Sequence, residues 1–147
     1  MARRTSRPVA TRRLAPFDIC VHGIPISAQT KHRAQLQAWR ERVRSACREL
    51  WPVERAALTG HVRLSVTYYG EDKGPDLDNL VKPIQDALQQ IVYLNDRQVI
   101  GVLAQFEDID ERFATRYMSP VLAAAFVKGD PFVHIEVWYP PDDEVPS

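Results

Sequence analysis

The chain has 147 residues, 26% of them charged, with 19 Lys and Arg balanced by 19 Asp and Glu. That length suits one domain, able to bury roughly two thirds of the surface it exposes when unfolded, so folding requires neither a disulfide nor a metal. No apolar run reaches the ~18 residues of a membrane span and the Arg-rich start lacks the apolar centre of a signal peptide, which excludes a helical membrane protein and points to a soluble, cytoplasmic one.

The zero net charge conceals a segregation. Residues 1 to 50 hold eleven Lys and Arg against three acids, and residues 51 to 147 hold eight against sixteen. A basic half can supply phosphate contacts and an acidic half metal ligands, although the two can equally pair across a folded surface.

Residues 1 to 15 carry Arg3, Arg4, Arg7, Arg12 and Arg13 among small residues and prolines, with no period that buries a face. They read as a flexible basic arm able to contact DNA. A domain is expected over 16 to 139. It opens with a strand, Phe17 to Ile24, ended by Gly23, Pro25 and Ser27.

From Lys31 to Leu50, apolar residues at Leu36, Trp39, Val43, Cys47 and Leu50 fall on one helix face, which places Trp39 in the core. Another face collects Arg33, Arg40, Arg44 and Arg48, either as a solvated surface or as a ridge facing DNA. The two cysteines, Cys20 and Cys47, have no ligand spacing and read as free buried thiols of a reducing compartment.

After a loop around Trp51 and Pro52, His61 to Tyr69 alternates as a strand. A polar turn leads to Leu77 to Ile91, whose helical spacing is interrupted by Pro83. Either the helix begins just before that proline or its first turns are distorted. Tyr93 to Asp96 is a turn, Gln98 to Phe106 a third strand, and Glu107 to Arg116 an exposed loop. Ser119-Pro120 opens a short helix through about Val127. Pro131 to Tyr139 is a last strand, and 140 to 147 an acidic, proline-rich tail expected to be disordered.

The chemistry concentrates at Asp76-Leu77-Asp78-Asn79. In an extended segment Asp76 and Asp78 point to one side, and a divalent cation is the simplest way to keep two such carboxylates ionised. Mg2+ suits them, with Mn2+ as a second possibility, because it takes one or two carboxylates and leaves positions for phosphate oxygens. Lys82, one helical turn beyond Asp78, can reach the same mouth and stabilise charge on a phosphate in transfer. Asp96, entering from the turn, is a third ligand or a group orienting the attacking water. Each residue also has an ordinary structural reading: aspartates and asparagines cap helices, and an Asp78 and Lys82 pair would be a surface ion pair worth ~0.3 to 0.5 kcal/mol.

The stretch PDLDNLVKPIQDALQQIVYLNDRQVIGV resembles the RusA family of Holliday-junction resolvases, the crossover junction endodeoxyribonucleases, at Asp76, Asp78, Asn79, Lys82, Asp86 and Asp96. VHGIPISAQTKHRAQLQAW is similar to the family's strand, Pro and Ser turn and helix, so the likeness covers about residues 17 to 107. It implies an α+β domain with a mixed sheet of about four strands and helices packed on one face. It implies Mg2+ on Asp76, Asp78 and Asp96, Lys82 as the essential cation, and Asn79 and Asp86 in support. It further implies a homodimer that resolves four-way junctions in recombination and repair, in a bacterial or phage setting near the nucleoid. Asn95 stands where the family has an aspartate, and 108 to 130 is longer than in compact members. These departures keep open a related nuclease acting on flap or other branched DNA, or a non-cleaving DNA-binding protein.

Overall fold

The computed structural model describes residues 15–72, 74–110 and 118–140. The expected arm, with its five arginines, therefore lies outside the described residues apart from position 15. So does the tail beyond position 140, and so do positions 111–117 of the expected long loop.

Among the described residues, four strands and three helices follow one another as β1 (Phe17–His22), α1 (Arg33–Leu50), β2 (Val62–Gly70), α2 (Leu77–Leu88), β3 (Val99–Asp108), α3 (Pro120–Lys128) and β4 (Phe132–Trp138), with a 3-10 turn at Asp96–Gln98 before β3. The sheet order is β1-β4-β2-β3. β4 runs antiparallel to both of its neighbours, whereas β2 and β3 are parallel. A parallel pair needs a crossover, and α2 supplies it. The mixed sheet with α and β elements in one domain is the α+β architecture read from the sequence.

Strand alternation sorts the sheet into two faces. Phe17, Ile19 and Val21 of β1 stand opposite Val137, Ile135 and Val133 of β4. Leu64, Val66 and Tyr68 of β2 continue that row. Against it pack Leu36, Trp39, Val43 and Cys47 of α1 and Leu80, Ile84, Ala87 and Leu88 of α2, all buried. Leu50, placed on the α1 stripe by its spacing, is 39% exposed, and the next residue fills the role instead. Trp51 is 2% exposed and lies edge-on to Phe17 at 5.9 Å.

The three helices do not all pack on one face of the sheet, as the family resemblance implies. Only α1 and α2 share a face; α3 packs on the other. Its Val121 carbonyl accepts from the Cys20 thiol, and its Phe126 meets Tyr69 and Phe132 with ring centroids 4.9 and 5.3 Å apart. The reason lies in β4, where Phe132, Val133, His134 and Ile135 are consecutively buried. A strand buried on both sides requires cover on both sides. Both cysteines are free thiols, as expected.

Candidate active site

The proline in α2 does not shorten the helix. α2 starts at Leu77 and keeps Pro83 inside it, buried. Pro83 has no N–H for the carbonyl of Asn79, four residues back. That carbonyl is not orphaned: it accepts from the backbone N–H of Ala28 at 3.0 Å. The loop after β1 is thereby fastened to the first turn of α2.

Asp76 and Asp78 sit at this turn, both exposed. Asp76 occupies the N-cap position, yet its side chain makes no capping hydrogen bond. Its carboxylate is free of the commonest structural duty of an aspartate at that place. Asp78 accepts from the N–H of Asn79 at 3.0 Å. Both follow β2 after residues 71–75, beyond the carboxyl end of a strand in a parallel pair, where α/β crossovers gather ligands and a helix N-terminus favours anions such as phosphate. Beside them an open groove of about 470 Å³ runs between Ile24, Pro25, Ile26 and Ser27 on one side and Gly74 and Pro75 on the other.

Lys82 is exposed and its Nζ lies 3.2 Å from Asp86, one turn further on, rather than on Asp78. Asp86 also takes Arg40 of α1 at 3.3 Å, and its carbonyl accepts from Arg44. Two of the five α1 arginines, Arg40 and Arg44, therefore hold α1 against α2, while Arg33, Arg42 and Arg48 are exposed.

Asp96 opens the 3-10 turn at the other end of the crossover. Asn95 caps that turn, accepting from the N–H of Arg97 at 2.8 Å, while Gln98 accepts from the N–H groups of Leu94 and Asn95 and donates to the carbonyls of Leu58 and Gly60. The residue that departs from the family pattern thus has a structural role, which an aspartate would fill about as well. With its amide nitrogen turned toward Asp96, Gln89 donates to both carboxylate oxygens at 2.9 and 3.1 Å.

Within the chain, then, Asp76, Asp78, Asn79 and Lys82 cluster at the opening turns of α2, and Asp96 lies beside the residue that closes it. The 12 residues of α2 span about 18 Å. Among the described residues the group of three ligand-type side chains whose donor atoms all lie within 4.8 Å of one another is Asp18, His134 and Glu136, not the three aspartates.

Two features escaped the sequence reading. Tyr93 is fully buried with its hydroxyl unpartnered in the structure. Burial pushes its phenol well above the ordinary value, and Asp96 and Asp86 add to the push. The other is the Asp18, His134 and Glu136 cluster, whose signal was the alternation of polar His134 and Glu136 with apolar Val133, Ile135 and Val137.

The match to the model of the family Endodeoxyribonuclease RusA covers residues 21–137. The chain belongs to that family of endodeoxyribonucleases. No curated protein matches it. No helix among the described residues is long and apolar enough to cross a membrane.

Proposed function

We propose that this chain is a divalent-metal-dependent endonuclease that resolves four-way DNA junctions by paired phosphodiester hydrolysis, in recombination and repair. The observation that carries the reading is the exposed Asp76 and Asp78 pair at the opening of α2, with the Asp76 side chain outside the capping role.

The donor set fits Mg2+ or Mn2+: hard, exposed carboxylate oxygens, few in number, beside an open groove that a DNA strand can enter. Bound there, such an ion accepts phosphate oxygens and lowers the pKa of water. Asp76 and Asp78 would hold it. Lys82, 58% exposed on its side chain, is able to swing from Asp86 to a phosphate and stabilise the charge that builds on the non-bridging oxygens. Hydrolysis forms a bond from water oxygen to phosphorus and breaks the bond to the 3′ oxygen, leaving a 5′-phosphate and a 3′-hydroxyl.

Asp96 completes this site most simply from a second chain. It is tied to the far end of α2 in its own chain, so in a two-chain site a second copy of the chain would supply it. A two-fold axis then builds two such sites at once, as two symmetric cuts require.

A substrate panel tests the assignment. Four-way junction, flap and linear duplex are each incubated with protein, with and without Mg2+. Paired nicks in the junction alone support resolution. Preferential flap cleavage transfers the same chemistry to another branched substrate, and binding without cleavage of any substrate overturns the nuclease reading for this chain.

A further inference from the structure

We propose that the sheet face turned away from α1 and α2 carries a second metal site, made by Asp18 of β1 with His134 and Glu136 of β4, which takes Zn2+ and ties the edge strand β1 to its neighbour.

The register builds it. Asp18 stands directly opposite Glu136 across the antiparallel pair, and His134 opposes Cys20 one step along the same face. A divalent ion between the two carboxylates would hold both at once. The third group brings an imidazole: His134 is only 7% exposed, and its Nε2 lies 2.6 Å from Asp18 Oδ1.

The distances are near those an ion needs. Zn2+ bonds of ~2.0 to 2.1 Å at tetrahedral angles place neighbouring donors about 3.3 Å apart. The three donor atoms here all lie within 4.8 Å of one another, so the widest separation closes by at most about 1.5 Å. The shortest opens by rather less, as the ion replaces the proton between Nε2 and Oδ1. Three protein ligands on a rigid pair of strands leave a fourth position for water.

The donor chemistry separates this site from the first. An imidazole beside carboxylates selects a borderline ion such as Zn2+, whereas carboxylates alone suit Mg2+. The two sites also lie on different faces of the sheet, so this inference stands independently of the nuclease reading. Occupancy would clamp β1, the strand that leads into the loop fastened to Asn79.

The test uses the full chain carrying Asp76→Asn and Asp78→Asn, so that the carboxylates at the opening of α2 contribute nothing. Zn2+ is titrated calorimetrically, and Co2+ is used in its place to read ligand-field bands in the visible. One ion per chain is expected, with a rise in melting temperature on Zn2+ addition. Adding His134→Gln should weaken binding by about 100-fold or more, beyond what loss of an outer-shell contact usually costs. Circular dichroism checks that the variant folds. If it does not, Glu136→Gln on the half-buried neighbour gives the same reading, with at least a tenfold loss expected. No ion bound by the double variant, or affinity unchanged in the folded His134→Gln or Glu136→Gln protein, overturns the proposal.

Discussion

With its amide nitrogen turned toward Asp96, Gln89 at the close of α2 donates to both carboxylate oxygens, at 2.9 and 3.1 Å. A residue that grips a carboxylate so symmetrically orients it without neutralising it. If Asp96 serves the reaction, Gln89→Leu should raise the Mg2+ concentration needed for half-maximal cleavage by about 10–100-fold, the range for contacts behind a metal ligand. Unchanged metal dependence would show that the contact serves only the fold.

The separation of Asp96 from Asp76 and Asp78 along α2 makes a second prediction. If two chains build each site, the Asp76→Asn and Asp96→Asn proteins should each be inactive. Mixing and refolding them together should restore cleavage, because one of the two composite sites then holds neither substitution. Sites contained within single chains would give no rescue in the mixture.

Asp86 joins Lys82 on its own helix to Arg40 on α1. The Arg40 and Asp86 side chains are 29% and 31% exposed, so solvent screens part of their attraction. Arg40→Ala should cost about 1–2 kcal/mol in thermal or chemical denaturation. Arg33→Ala, on an exposed site, should stay within about 0.5 kcal/mol. If Arg40 instead faced DNA, its loss would leave the melting temperature in place and flatten the salt dependence of binding.

Burial pushes the Cys47 thiol up from 9.0 to about 12, against a smaller opposing pull from Arg44 and Arg48. The folded state therefore keeps a proton that the unfolded chain releases. The stability tied to this group is fully present below the unfolded value, near 9.0, and is lost as pH rises toward about 12. Denaturant unfolding at pH 8 and pH 10.5 should show a steeper loss in the native chain than in Cys47→Ala. The difference cannot exceed about 1.4 kcal/mol per pH unit. Parallel slopes would refute the assignment to Cys47.

Local pattern made most elements readable. Leu36, Trp39, Val43 and Cys47 announce α1, Ser119-Pro120 announces α3, and the alternation after Pro131 announces β4. What stayed hidden depends on distant partners. Pro83 looked like a boundary because its compensation comes from the Ala28 N–H in another loop. The face chosen by α3 rests on Phe126 meeting Tyr69 and Phe132. Asp18 and His134 are 116 positions apart in the chain, so no spacing rule joins them. The motif at Asp76, Asp78 and Lys82 was visible in full, whereas the end of the crossover occupied by Asp96 follows from the parallel pairing of β2 and β3, which no local pattern encodes.

In the proposed reaction, junction cleavage depends on an ion held by Asp76 and Asp78. The most direct measurement of that dependence is single-turnover cleavage of a synthetic four-way junction by the native chain, Asp76→Asn and Asp78→Asn, across a Mg2+ titration. Each substitution should lower the cleavage rate at least ~100-fold, or about 2.7 kcal/mol of barrier, with junction binding retained. Cleavage at the native rate by either variant, or native cleavage undiminished in chelator, would contradict the account.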